Sequence, residues 1–336
     1  MIILTDCLGN AADEGGMKVC SSLTKRLKEA DPSITVISYG ETAGGSDLHI
    51  PANKFLLSWR LFRLLRQKKE PVLYLPSYAR TLPLAGRILI LTLLAGRRVR
   101  AMIVMRAPIK RLAAMLLKMS GAEILCLSED SAAAFRQEAG VRARQLKTGV
   151  DTQRFKPVSA EKKAELRRKY DLPEDKHIVL HVGHMKEGRN IGAMGKLDQR
   201  FHGVLVVSTL TAAFEDKPLR DSLAAKKNLT IIDQYLPHIE EIYQLADAYL
   251  FPVEKARNCI DVPLSALEAA ACSIPVVATE YGELKGLLGR DGFTRIESFD
   301  VQMLNDQLDA AIHKGGDPRP HVLPYDWQHA VKELLG

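Results

Sequence analysis

The sequence predicts an α/β protein of two parallel-sheet domains, and three observations predict it. Its 336 residues are long for one core, since single domains run to about 100–200 residues. Short β-rich runs alternate with helical patterns along both halves, as in sheets whose strands are joined by crossover helices. Residues 246–279 then read as strand, loop, helix, strand. Ala248 to Phe251 is an apolar run ended by Pro252, a polar loop follows from Val253 to Asp261, Pro263 suits the first turn of a helix, and Ile274 to Thr279 returns as a strand. In open α/β sheets, ligands sit in loops between the carboxyl end of a strand and the next helix, where exposed N–H groups favour an anion such as a pyrophosphate.

Composition sets the outer limits. With 46% hydrophobic and 26% charged residues, the chain is an ordinary globular protein. Cys7, Cys20, Cys126, Cys259 and Cys272 are an odd, scattered set without a CxxC pair. That argues against a disulfide framework or cysteine zinc site and predicts reduced thiols in the cytoplasm. Met1 to Thr5 runs straight into Asp6, which predicts no signal peptide. The longest apolar run, Ile88 to Gly96, is far short of the roughly 18 residues that cross a bilayer.

The net charge of +7 is unevenly spread: residues 1–150 hold 23 Lys and Arg against 12 Asp and Glu, and residues 51–120 hold 15 against one, Glu70. Such a block is an electrostatic footprint for an anionic surface or ligand. No aromatic interleaving or reading motif accompanies it, so nucleic acid is not the expected partner.

Strands are predicted at Ile2–Thr5, Ile34–Ser38, Val72–Leu75, Val99–Met105 and Glu123–Leu127 in the first half. In the second they are predicted at Ile178–Val182, Val204–Ser208, Leu229–Ile232, Tyr249–Phe251 and Val276–Thr279. After the first strand a loop containing Gly15 and Gly16 precedes a helix from Met17 to Ala30; the plain reading of the glycine pair is a turn that needs positive φ. Lys54 to Lys69 is an amphipathic helix with Phe55, Trp59 and Phe62 on one side and an Arg60, Arg63, Arg66 stripe on another. It fits either a helix lying on anionic lipid or a sheet-packing helix whose arginines reach to water. A second apolar segment, Leu82 to Gly96, is bounded by arginines. Ser128 can cap a helix, Gly149 allows a tight turn and Pro157 stops the segment at the domain junction. Ser265 to Glu268 fits a capping box, in which the glutamate bonds back to the cap.

Several of these stretches together resemble the family 4 (group 1) glycosyltransferases, which are retaining enzymes of the GT-B fold. Leu267 to Cys272 followed by Pro275 to Thr279 resembles the second half of that family's nucleotide-sugar motif. The motif's first glutamate falls on Ile260, and Asp261 is the nearest carboxylate that can stand in for it. Cys126 to Ser131 and Thr148 to Pro157 resemble the domain-junction motifs, and Ile178 to Asn190 resembles "V-G-R-L-x-x-x-K-G". In that last motif Gly183 keeps the glycine, His184 replaces the arginine and Arg189 replaces the lysine. Arg106 occupies the place of a family histidine near the reacting sugar.

The resemblance implies two Rossmann-like domains facing across a cleft, with a C-terminal helix packing back to the N-terminal domain. It implies an acceptor-side domain at 1–156, a donor-side domain at 157–325 and the helix at 326–336. It implies transfer of a sugar from a nucleoside-diphosphate donor, of UDP or GDP type, to a glycan or lipid-linked acceptor, with retention and without a metal or other cofactor. Arg189 and His184 would hold the leaving diphosphate with the helix amides at Leu264 and Ser265, Glu268 would accept from the ribose, and main chain near Tyr235 and Leu236 would read the base. Gly15 and Gly16 would admit the donor, while Asp261 and Arg106 would complete the catalytic set. Two alternatives stay open: a catalytically inactive relative that binds nucleotide, glycan or a partner, and a nucleotide-sugar epimerase or hydrolase on the same fold. The expected location is the cytoplasm, at the inner face of the membrane if the basic block meets lipid.

Overall fold

A computed structural model describes all residues except 9–14, 40–42, 53–57, 77–80, 96–98, 106–107, 187, 208–215 and 256–257. The chain forms two compact units. Unit 1 comprises Met1–Thr148, Cys259–Val262 and Trp327–Gly336; unit 2 comprises Gly149–Asn258 and Pro263–Asp326. Residues 149–156 therefore go with the second unit.

The sheet of unit 1 has seven strands: β1 (Ile2–Thr5), β2 (Thr35–Ser38), β3 (Leu48–His49), β4 (Val72–Leu75), β5 (Val99–Ile103), β6 (Glu123–Cys126) and β7 (Ala143–Gln145). Their order is β3-β2-β1-β4-β5-β6-β7, and every pairing is parallel. β1 and β4 are buried at every residue, as strands covered on both faces must be. The covering helices are α1 (Gly15–Ala30), α2 (Trp59–Lys68), α3 (Thr81–Ala95), α4 (Arg111–Ser120) and α5 (Glu129–Ala139). Ile2, Leu4, Tyr74, Ile88, Ile124 and Phe135 are among the residues of their common core. α5 shows how its sequence sets its ends. Ser128 is extended at the N-cap and its Oγ accepts from Ser131 N, while Gly140 closes the helix at φ 62°.

Unit 2 has β8 (His177–Gly183), β9 (Phe201–Val207), β10 (Leu229–Ile232), β11 (Ala248–Phe251), β12 (Val276–Ala278) and β13 (Phe293–Arg295). The order is β10-β9-β8-β11-β12-β13, again all parallel. Its helices are α6 (Ala160–Lys169), α7 (Lys217–Ala224), α8 (Glu240–Gln244), α9 (Leu264–Ala271), α10 (Val301–Lys314) and α11 (Arg319–Val322). At the amino ends of β8 and β11, Asp247 ties α6 to the sheet. It accepts from Ile178 N at 2.7 Å and Arg167 Nη2 at 2.5 Å, and pairs with Lys163 Nζ at 2.6 Å.

The chain ends in α12 (Trp327–Leu335), which packs on α1 within unit 1. Arg100 donates to Leu334 O at 2.9 Å, and Arg144 pairs with Glu333. The two Rossmann-like domains and the returning C-terminal helix are as the sequence led one to expect.

Candidate functional site

The growth of the second sheet reverses at β8 and β11. β9 and β10 extend it on one side, β12 and β13 on the other. The carboxyl ends of two such central strands are where α/β sheets take ligands. Arg189, His184, Gly183, Leu264, Ser265, Glu268, Tyr235 and Leu236 all belong to this unit.

The site is built on a histidine inside an apolar strand. His181 lies between Leu180 and Val182 on β8 and is 1% exposed. The register of β8 with β11 pairs Ala248 with Val179 and Tyr249 with Leu180. The next carbonyl, Leu250 O, is met by His181 Nδ1 at 2.8 Å. Because a carbonyl can only accept, Nδ1 carries the hydrogen and Nε2 is left as an acceptor. Burial pushes the His181 pKa down to about 4, against the Leu250 carbonyl, which favours the charged form, and with help from the nearby Arg189 charge. The ring is therefore neutral at pH 7, and its Nε2 has no hydrogen-bond partner.

Arg189 reaches the same place from the loop after β8. Gly188, at φ 83°, sits where a Cβ would come 2.4 Å from Asn258 Nδ2, and Asn258 donates to Gly188 O at 2.8 Å. Only glycine makes that approach without strain. Arg189 Nε is buried without a partner. A Cβ on Gly183 would lie 2.9 Å from Arg189 Nη1 and 3.0 Å from His181 Nε2, so the absent side chain at 183 is what admits both groups.

The next layer leads to α9. Tyr249 stacks on His181 with ring centroids 6.1 Å apart and planes 20° from parallel. Its hydroxyl donates to Ser265 Oγ at 2.6 Å. α9 starts at Leu264 with Pro263 as its cap and no side-chain cap bond, so Ser265 is not the capping serine of a box with Glu268. Glu268 lies one turn on, is 3% exposed, and its Oε2 accepts from Tyr243 Oη at 2.8 Å. Burial and the adjacent Glu268 charge raise the Tyr243 pKa, so the phenol stays a donor. His184 is half-buried at the end of β8. Tyr235 is 80% exposed and Leu236 partly buried in the turn after β10.

The remaining candidates lie in unit 1. Gly15 and Gly16 open α1, and a Cβ on Gly15 would stand 3.2 Å from Ile260 Cδ1. Asp261 is buried, its N–H donates to Val104 O at 3.1 Å, and its Oδ2 accepts from Ser131 Oγ and, at 3.4 Å, from Ser128 Oγ. The carboxylate thus sits at the N-terminus of α5, where the helix dipole and two hydroxyls favour negative charge. Arg106 lies outside the described residues.

Sequence reasoning did not single out His181, Tyr249 or Tyr243. The signal for His181 was present as one polar ring in the run Ile178 to Val182. Its burial has a measurable consequence. Between pH 6.5 and 4 the unfolded chain binds the proton that the folded imidazole refuses, so stability falls as pH drops through that window. A difference of this size corresponds to about 2 kcal/mol by pH 5. Denaturant melts at pH 7 and pH 5 should show a smaller acid loss in His181→Phe than in the wild type.

Residues 176–314 match the family model described as glycosyl transferases group 1. A D-inositol 3-phosphate glycosyltransferase of Salinispora tropica is 29% identical over 223 residues, covering 58% of this chain and 45% of the relative. The chain spans about half the length of the curated relatives it matches. Among solved structures, a glycosyltransferase from Rickettsia africae superposes with TM-score 0.78 at 15% identity, covering 99% of this chain and 96% of that one. Anabaena Alr3699/HepE in complex with UDP and glucose gives 0.74 at 13% identity, with 99% and 98% covered. Residues 176–314, from β8 through α10, are thus similar to the group 1 glycosyltransferase domain, and the two Rossmann-like domains of the chain have the fold of the GT-B glycosyltransferases.

Proposed function

We propose that the chain is a retaining glycosyltransferase that moves a sugar from a nucleoside-diphosphate donor to a glycan or lipid-linked acceptor, in cell-surface polysaccharide or glycolipid synthesis. The observation that carries this reading is Arg189. It lies inside the matched region, just past the carboxyl end of a central strand, with a buried Nε that has no partner. Cleaving the sugar–phosphate bond builds negative charge on the departing diphosphate. Fixed cations and amides aimed at that charge stabilise the transition state more than the ground state. Arg189 offers a planar fork to phosphate oxygens, His184 adds a donor, and the amides of Leu264 and Ser265 open α9. These groups take up the charge without a metal. Glu268, already oriented by Tyr243, would accept from the ribose, and the chain at Tyr235 and Leu236 would read the base. The UDP held by the Anabaena protein supports a uridine donor.

The test is thermal protection and diphosphate release with UDP-, GDP- and ADP-sugars, for wild type and Glu268→Ala. Protection by one base class with slow release, both weakened in the variant, is the expected result. No protection by any of them would sink the reading. A second reading, a nucleotide-binding relative without turnover, is favoured by one observation: Ile260 stands at the first glutamate's place and Asp261 is occupied by Ser131 and Ser128. Protection without release across a panel of glycan and lipid acceptors would select it.

The acceptor side is proposed to work at an anionic membrane surface. No helix among the described residues is long and apolar enough to cross a membrane. On α2, Leu61 and Leu65 enter the core while Trp59 is 72% exposed and Arg60, Arg63 and Arg66 face solvent. On α4, Leu112, Met115 and Met119 are exposed at helical spacing beside Arg111 and Lys118. Apolar side chains among basic ones suit the headgroup region of an anionic bilayer. Vesicles containing phosphatidylglycerol should sediment the protein at low salt, and Met115→Glu should weaken this several-fold; equal binding to neutral vesicles would contradict the proposal.

A further inference from the structure

Two buried polar atoms beside Gly183 are complementary and unmatched. Arg189 Nε is a donor, His181 Nε2 an acceptor, and neither has a partner. The vacant Cβ position of Gly183 is within 3.0 Å of His181 Nε2 and 2.9 Å of Arg189 Nη1. Leaving such groups unmet in the interior is costly, so the arrangement favours a state in which they join.

The direction of the His181 lone pair is set by its surroundings. Nδ1–H is held by Leu250 O at 2.8 Å, and the ring is stacked on Tyr249. Flipping the imidazole in its plane would give up the bond to Leu250 O, and tilting it would give up the stack. Burial keeps the ring neutral, so it adds no charge that would compete with a bound anion for the guanidinium.

We propose that His181 is a positioning residue for Arg189: with ligand bound, its Nε2 accepts from the guanidinium Nε–H and turns the two Nη groups toward the phosphates. This rests on the donor reading above and adds the part that aims the phosphate-binding cation. A guanidinium can bond inward and outward at once because its five N–H groups point in fixed directions; a lysine ammonium is a point charge and has no second edge. Gly183 belongs to the same device, since a Cβ there would lie 2.9 Å from Arg189 Nη1 and 3.0 Å from His181 Nε2 and would crowd the guanidinium away from the imidazole.

The experiment compares a nucleoside with its diphosphate. Dissociation constants of the full chain for UDP and uridine, with GDP and guanosine and ADP and adenosine in parallel, are measured by calorimetry. The proteins are wild type, His181→Phe and Gly183→Ala, each alone and combined with Arg189→Ala. His181→Phe keeps the ring and removes the acceptor. Gly183→Ala places a methyl against the guanidinium and the imidazole and removes no atom of the bond to Leu250, and it decides the matter if His181→Phe does not fold.

Each single variant is expected to weaken the diphosphate about tenfold, the order of one hydrogen bond to a charged group. The nucleoside should change less than twofold, and in the Arg189→Ala background neither variant should cost anything further. A purely structural role for His181 would weaken nucleoside and diphosphate alike, or add its full cost without Arg189. Either result overturns the inference and leaves the donor reading standing. Wild-type protein that binds no nucleoside diphosphate overturns both.

Discussion

Arg189→Ala should slow diphosphate release from the donor sugar about 10²–10³-fold, the loss seen when one fixed donor to a developing anion is removed. The fold should be unaffected, because the residue lies in the loop after β8 and its Nε contributes no hydrogen bond to the protein. Arg189→Lys should recover only part of the rate, since the charge returns without the fork. Steady-state rates, with circular dichroism as the control for folding, check this. A variant with wild-type turnover would remove Arg189 from the mechanism. One that loses its melting transition would mean that the guanidinium holds the unit together.

The largest stability effect is expected at the other end of the same strands. Asp247→Ala should destabilise the protein by about 3–5 kcal/mol, the cost of removing one partner from a buried ion pair, here with Arg167. The Arg167 guanidinium, which keeps its bonds to Leu245 O and Lys176 O, loses its counter-ion, as does the Lys163 ammonium, and the backbone N–H of Ile178 loses its acceptor. Burial alone would raise the Asp247 pKa, but the Lys163 charge, the Arg167 charge and the Ile178 N–H overcome it and hold the carboxyl below its usual range. Its contribution is therefore complete at neutral pH and is lost only as pH falls through that lowered value. Asp247→Asn, which still accepts from Ile178 N, should lose less. Urea melts at pH 7 decide it, and a midpoint for Asp247→Ala within error of wild type would show that the cluster is not a clamp.

Fold and site were legible to different depths, for reasons visible in single residues. The central strands announced themselves because β1, β4 and β11 are continuous apolar runs buried at every position. β3, β7 and β13 were not found. They are two or three residues long and include His49, Arg144, Gln145 and Arg295, and only pairing with a neighbour makes them strands. At the carboxyl end of β8, motif spacing marks Arg189 as a candidate. The partners that orient its surroundings were not legible, since Tyr249 follows His181 by 68 residues in the chain and only the parallel pairing of β8 with β11 brings the rings together. For Asp261 the motif marks the position as a catalytic candidate, but not that its carboxylate accepts from Ser128 and Ser131 at the start of α5, 130 residues and more away in the chain.

That contact has a consequence for recombination. Between β11 and α9 the chain departs unit 2 after Asn258, spends four residues in unit 1 and rejoins unit 2 at Pro263. A hybrid that takes 149–326 from one relative and the remainder from another would carry a foreign Ile260 and Asp261 into a host lacking Gly15, Ser128 and Ser131. Functional hybrids should therefore be found among those that transplant these five positions as a set, even though they are scattered along the sequence, and the inheritance of the two halves is tied at this loop.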